Sequence, residues 1–375
     1  MRNLLLKVLC VLLVLAPLQT IAQPDEQVQA YSIAPYNSNK ILSEREGETR
    51  FGVAGLSKLP AILTICTAFD KALIDQDATL TVSERAAHVG GPTAFLERGE
   101  QIDVGSLLMA AVMISAGDAI CALMEHAFGS EDVFLQNMNL LLSTCGVEQT
   151  MTDYLGTGTQ FSCRELLLLG EAAVNSPTFC KYANLYTVTM AHADGRTTEL
   201  TSANKMLRDY QGCFGLLTGS SNEDGYCAIL ACSRSDMTYL CAVVGAKSSK
   251  ARFAAATELL DEAYANFKLT TISEDGVPIV FAYPVKDGSV ETVDLVPHTS
   301  MTLLLNKSDG DPTEEFDLPA VLSPPLDPDL SVGSVRYLAS DGTVLYEVAL
   351  YPNAAVRSNG FGDILKRILL QFYGG

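Results

Sequence analysis

Ser202-Ala203-Asn204-Lys205 carries a hydroxyl and an amine three residues apart, a spacing that puts both on one face of a helical turn. An amine so placed would take the hydroxyl proton and arm the oxygen for acyl transfer. No long apolar helix follows this pair, however, and such a motif counts only in its structural setting. A stronger setting lies at Gly55-Leu56-Ser57-Lys58-Leu59-Pro60-Ala61-Ile62-Leu63-Thr64-Ile65-Cys66-Thr67, a tight entry into an apolar helix. There Ser57 is followed at the same spacing by Pro60, and Lys58 by Ala61, so neither has a base one turn on. Ser115-Ala116-Gly117 interrupts a second apolar run, and Leu217-Thr218-Gly219 lies on a strand. The histidines, His88, His126, His192 and His298, are far apart, and none belongs to a G-x-S-x-G elbow or an H-E-x-x-H helix. A Ser-His-Asp site assembled in space from distant positions stays open at this level.

The elements that must position these groups follow from periodicity. Residues 23–50 are polar and read as a mobile lead-in with a short strand near 31–34. The opening helix runs from the Lys58 region to about 73, and 80–83 is a short extended piece. Residues 104–125 are apolar almost all round, which marks a buried helix broken at 115–118. Ser130 and Ser162 cap two further helices, 131–145 and 163–174. After Pro177 the texture changes to strands at 185–190, 215–219, 227–232 and 239–244, and an amphipathic helix covers 251–267. Beyond 268 come short strands at 278–285, 290–296, 301–306, 332–338 and 344–350, broken by Gly, Pro and Asp. The fold class is therefore α+β, helices packed on an antiparallel sheet, followed by a small all-β domain.

Several passages occur in an order and spacing that resemble the D-alanyl-D-alanine carboxypeptidases, the low-molecular-mass penicillin-binding proteins. They are Asn204-Lys205-Met206-Leu207, Gly215-Leu216-Leu217-Thr218-Gly219, Gly225-Tyr226, Val243-Val244-Gly245-Ala246 and Arg252-Phe253. The resemblance implies a β-lactamase/transpeptidase-like domain over 23–268, a C-terminal β domain over 269–358 and a short amphipathic helix over 359–375. It also implies three motifs. The first, S-x-x-K, supplies an acyl-accepting serine and a lysine base; aligned on Ile62-Leu63-Thr64, the serine position is Lys58 and the lysine position Ala61. The second, S-x-N, keeps Ser115 and has Gly117 in place of the amide. The third, K-T-G, keeps Thr218 and Gly219 and has Leu217 in place of the cation. All three motifs are degenerate. The sequence thus resembles a family whose members trim peptidoglycan stem peptides, and predicts a cell-wall-associated binding or scaffolding protein without catalysis. The alternative is an active D,D-carboxypeptidase removing the terminal D-Ala with rearranged residues. Lys58 reads either as a solvated residue or as an anion-binding group standing in for the cation missing at Leu217. Ser115 reads as a hydroxyl bonded to a backbone carbonyl at the helix interruption, and Thr218 and Gly219 as a strand-end turn.

A formal charge of −19 argues against nucleic acid as a partner. Residues 1–22, with Arg2, an apolar run and Thr20-Ile21-Ala22, read as a signal peptide, so the protein is expected to be exported. Outside that leader lie Cys66, Cys121, Cys145, Cys163, Cys180, Cys213, Cys227, Cys232 and Cys241, scattered through apolar segments and read mostly as buried thiols. Cys227 and Cys232 have no nearby His, so neither a metal site nor a cofactor is expected. Expected partners are a stem peptide or another cell-wall protein. Ile364, Leu365, Ile368, Leu369 and Phe372 form one helical stripe that predicts weak membrane contact.

Overall fold

The computed structural model describes residues 27–360 except 39, 76 and 77. The leader and the amphipathic stripe of 363–373 lie outside the described residues. The chain divides into two compact units at Tyr264/Ala265.

The first unit opens with β1 (Ala30–Pro35), β2 (Ser43–Arg45) and β3 (Phe51–Gly52), then a 3₁₀ turn (Ala54–Lys58) that runs straight into α1 (Leu59–Asp70). β4 (Thr79–Thr81), α2 (Glu84–Ala87) and β5 (Gln101–Asp103) lead to α3 (Val104–Ile114), α4 (Gly117–Phe128) and α5 (Glu131–Thr144). β6 (Gln160–Phe161), α6 (Cys163–Val174), α7 (Pro177–Ala183), β7 (Thr187–Ala191), β8 (Thr197–Thr201) and α8 (Met206–Asp209) come next. The unit closes with β9 (Cys213–Ser221), β10 (Gly225–Arg234), β11 (Met237–Ala246) and α9 (Ser249–Asn266). Its main sheet has the order β2-β1-β11-β10-β9, with every pairing antiparallel.

Residues on β10 and β11 are apolar without alternation because both faces of the sheet are covered. Ile229, Ala231, Leu240, Ala242 and Val244 share one core with α1, α3, α4 and α6. On β11, Tyr239 instead sends its hydroxyl to Ala263 O of α9 at 3.3 Å, and Tyr264 reaches Cys232 O at 2.6 Å. α1 sits within the helical core, with Leu59, Ile62, Leu63 and Ile65 at most 1% exposed. Each such side chain contributes about 1.5–3 kcal/mol of burial. α6 starts on a full capping box: the Ser162 hydroxyl accepts from Glu165 N, and the Glu165 carboxylate accepts from Ser162 N.

Two expectations are corrected here. Within the segment read as a mobile lead-in, the short strand expected near 31–34 is present as β1, and it is an inner strand of the sheet rather than mobile: all six of its residues are buried and pair with β11 from Ala30↔Val244 to Pro35↔Tyr239. The polar residues around it disguise how fully its backbone is paired. The last helix ends one residue earlier than read, and Phe267 opens a strand instead.

In the second unit β12 (Phe267–Ser273) pairs with β15 (Met301–Asn306). A five-stranded antiparallel sheet joins β13 (Val280–Pro284), β14 (Thr292–Val296), β16 (Thr313–Asp317), β17 (Gly333–Leu338) and β18 (Val344–Pro352) in the order β13-β14-β18-β17-β16. Leu295, Leu303, Val335, Val348 and Leu350 fill its core.

Candidate functional site

The start of α1, the junction between α3 and α4, and the middle of β9 converge on one cleft of about 820 Å³. Of the positions singled out in the sequence, Ser57, Lys58, Ser115, Thr218 and Gly219 line it. Ala61, Gly117 and Leu217 lie behind its wall.

Lys58 is the last residue of the 3₁₀ turn and the residue on which α1 begins. Its side chain is not solvated: the residue is only 8% exposed. Its Nζ donates to the carbonyl oxygen of Ser115 at 2.9 Å. Burial pushes the amine below its ordinary value, and the charge of Asp118 partly opposes that. Asp118 is itself 2% exposed. Its carboxylate accepts from Ala94 N at 2.9 Å, Leu96 N at 3.2 Å and Ala119 N at 2.8 Å, which ties α4 to the loop before β5. Ala61, one turn into α1, is fully buried in the core and offers no polar atom.

Ser115 ends α3 in the left-handed region, with φ 52° and ψ 41°, a place usually taken by glycine. Its carbonyl is the acceptor for Lys58. Gly117 begins α4, and its N–H donates to Pro92 O at 2.8 Å. A Cβ at this position would lie 2.7 Å from Val89 Cγ1. The loop before β5 therefore packs where a side-chain amide would emerge. Leu217 is 3% exposed and belongs to the helical core.

Thr218 and Gly219 lie inside β9, opposite Ala228 and Cys227 of β10, and not in a strand-end turn. Gly219 is needed for close approach, because a Cβ there would stand 2.4 Å from Gly55 N and 2.9 Å from Gly55 Cα. The turn carrying Lys58 thus packs backbone to backbone on the strand. Asp224 pins the same turn by accepting from Ala54 N at 3.0 Å.

Arg252 is a site residue that the sequence used only as a landmark. It is 3% exposed, and its Nη1 donates to Gly219 O at 3.0 Å and Cys227 O at 2.9 Å. Burial pushes its guanidinium down to about 10. It straps α9 to β9 and β10 at the cleft edge.

The other nucleophile candidates are engaged in hydrogen bonds of their own. Ser57 Oγ donates to Leu155 O at 3.0 Å. Ser202 Oγ accepts from Asn204 N at 3.2 Å and does not line the cleft, although Lys205 does. His192 is buried between Glu100, at 2.6 Å, and Thr198, at 2.8 Å, and no histidine lines the cleft. Among the described residues no group of three or more His, Cys, Asp or Glu side chains is arranged to hold a metal. No described helix is long and apolar enough to cross a membrane. The cleft is lined by the buried cations Lys58 and Arg252, by Lys205, and by the hydroxyl-bearing Ser57, Ser115 and Thr218.

Comparison with known proteins places this geometry. The family model described as D-alanyl-D-alanine carboxypeptidase matches residues 18–248. The D-alanyl-D-alanine carboxypeptidase DacF of Bacillus subtilis is 25% identical over 339 residues, covering 89% of this chain and 87% of its own. The enzyme DacA of Escherichia coli K12 is 24% identical over 371 residues, covering 93% and 89%. Among solved structures, penicillin binding protein 5 of Haemophilus influenzae superposes with a TM-score of 0.73 at 22% identity, covering 90% of this chain and all of that one. The match spans the sheet, the helical core and the cleft-lining segments ahead of α9, and the chain belongs to the D-alanyl-D-alanine carboxypeptidase family.

Proposed function

We propose that this protein binds a ligand in the family's cleft without catalysing hydrolysis, as an exported, cell-wall-associated binding or scaffolding protein. One observation carries the reading. Where the family pattern has its acyl-accepting serine, this chain has Lys58, buried and hydrogen-bonded to Ser115 O, with Ala61 at the base position. An ammonium held by a carbonyl forms no acyl ester, and a methyl group takes no proton. Losing the nucleophile alone costs several powers of ten in rate, and residues that act as a unit are not replaced singly. The ligand class that fits the family resemblance is a peptidoglycan stem peptide, with a second cell-wall protein as the other partner. The rival, an active D,D-carboxypeptidase with rearranged residues, requires Ser57 to leave Leu155 O or Ser202 to enter the cleft.

The test uses a labelled penicillin, followed by intact-mass measurement and peptide mapping. The expected result is no covalent adduct, together with reversible binding of a D-Ala-D-Ala peptide and no release of D-alanine. Stoichiometric label on Ser57, Ser115 or Ser202 would refute the reading.

A further inference from the structure

The sheet brings two cysteines face to face. Cys213, the first residue of β9, is the register partner of Cys232 on β10. Directly opposed residues of an antiparallel pair have Cα atoms about 4.5–5.5 Å apart. A disulfide spans about 4.4–6.8 Å, and the strand register shifts between Ala231 and Cys232 so that Cys232 stands opposite Cys213. No other cysteine of the sheet has this relation: Cys227 faces Gly219, and Cys241 faces Ile33 and Leu230. We propose that Cys213 and Cys232 form a redox pair, closing to a disulfide when the protein meets a low-molecular-mass disulfide.

The two thiols differ in reach and in chemistry. β9 is the edge strand of its sheet, and Cys213 is 8% exposed while Cys232 is fully buried. The Asn204 amide points Nδ2 at Cys213 Sγ from 4.0 Å. The Cys232 thiol donates toward Cys213, which lowers the proton affinity of Cys213 and raises that of Cys232. Cys213 is thus the attacking sulfur and Cys232 the resolving one. With glutathione disulfide, the Cys213 thiolate attacks one glutathione sulfur. The glutathione S–S bond breaks, and one glutathione leaves as a thiolate. Cys232 then loses its proton and attacks Cys213 Sγ, releasing the second glutathione. The two protein protons end on the two glutathione thiols, so two thiols and one disulfide give one protein disulfide and two thiols. The bridge would clamp the start of β9, which carries Thr218 and Gly219 to the cleft. The inference is independent of the reading of Lys58.

The experiment equilibrates the full chain with glutathione disulfide or with dithiothreitol. Each sample is quenched in acid, alkylated with iodoacetamide after unfolding, and mapped under non-reducing conditions. The expected product is a peptide pair joined through Cys213 and Cys232, two hydrogens lighter than the separate peptides. Closing a loop of this length should lower the unfolding equilibrium constant of the oxidised protein by about a hundredfold relative to the reduced one. That difference should vanish in both Cys213→Ala and Cys232→Ala, so either variant serves if the other fails to fold. Alkylation of both residues after oxidation overturns the proposal. So does arrest at a glutathione adduct on Cys213, or a bridge from Cys232 to Cys241.

Discussion

Replacing Lys58 with methionine should stabilise the protein at neutral pH. Methionine keeps an unbranched chain of similar volume and fills the channel that the lysine stem occupies. The substitution removes a buried ammonium, whose effective desolvation cost is several kcal/mol. It also removes one charged hydrogen bond to Ser115 O, whose loss costs about 1.5–3 kcal/mol and leaves that buried carbonyl unpaired. The balance is a gain of about 1–2 kcal/mol, or an increase of roughly 2–8 °C in Tm for a unit of this size. The pH dependence has a definite sign. The folded amine sits below its ordinary 10.5, so the unfolded chain binds more protons between the lowered value and 10.5. Wild-type stability therefore rises with pH through that window, as the burial penalty is relieved. The methionine variant lacks this rise, so its advantage should be largest near pH 7 and fade towards pH 10.5. Urea titrations of both proteins at pH 7 and pH 10 measure it. A variant less stable than wild type at pH 7, or an advantage that grows with pH, would refute the reasoning. If the lysine is kept for ligand binding, the more stable variant should also bind the D-Ala-D-Ala peptide at least tenfold more weakly.

Three further outcomes are expected. Restoring Lys58→Ser, Ala61→Lys, Gly117→Asn and Leu217→Lys together should recover slow penicillin acylation, while each single change recovers none. The Gly117 substitution must displace Val89 from 2.7 Å, so the combined variant should also lose several kcal/mol in urea unfolding. Gly219→Ala should cost about 2–4 kcal/mol and loosen the cleft, because its methyl would meet the Gly55 backbone at 2.4 Å, where no side chain can turn aside; a neutral result in thermal unfolding counts against that contact. Leaderless protein should co-sediment weakly with anionic liposomes through its C-terminal stripe, and equal, negligible binding with and without residues 361–375 would reject the anchor.

Local signals were legible in the chain and long-range ones were not. Ser162 and Glu165 announce α6 because a capping box is satisfied within four residues. The unbroken apolar runs of β10 and β11 announce strands covered on both faces. By contrast, the five residues of β16 are all exposed, so no alternation marks them, and only pairing with β17 makes them a strand. The strand at 31–34 was legible, but its inner place in the sheet was not, because its pairing with β11 joins opposite ends of the first unit. In the site, motif spacing located Lys58, Ser115 and Thr218. The reason for glycine at 219 lies in the Gly55 backbone, and the burial of Lys58 depends on the α3–α4 junction, contacts that no local pattern carries.

On the alignment expected from the sequence, the three motif positions would also constrain one another. That alignment would put the family's amines at 61 and 217 around a neutral hydroxyl at 58. Here an ammonium already occupies the centre, bonded to Ser115 O and drawn by Asp118. A second lysine at 61, one turn along α1, would put two cations within about 6 Å. At an effective dielectric of about 20 their repulsion is near 3 kcal/mol, before any desolvation of the new charge. Leu217 stands in the same wall, 3% exposed, and a third amine there would compound the cost. Once Lys58 is present, apolar residues at 61 and 217 are the electrostatically stable choice, with Asp118 as a buried countercharge to the lysine. On that alignment Lys58 and its apolar neighbours would form a self-consistent packing, in which Leu217 and Ala61 extend the helical core up to the cleft wall.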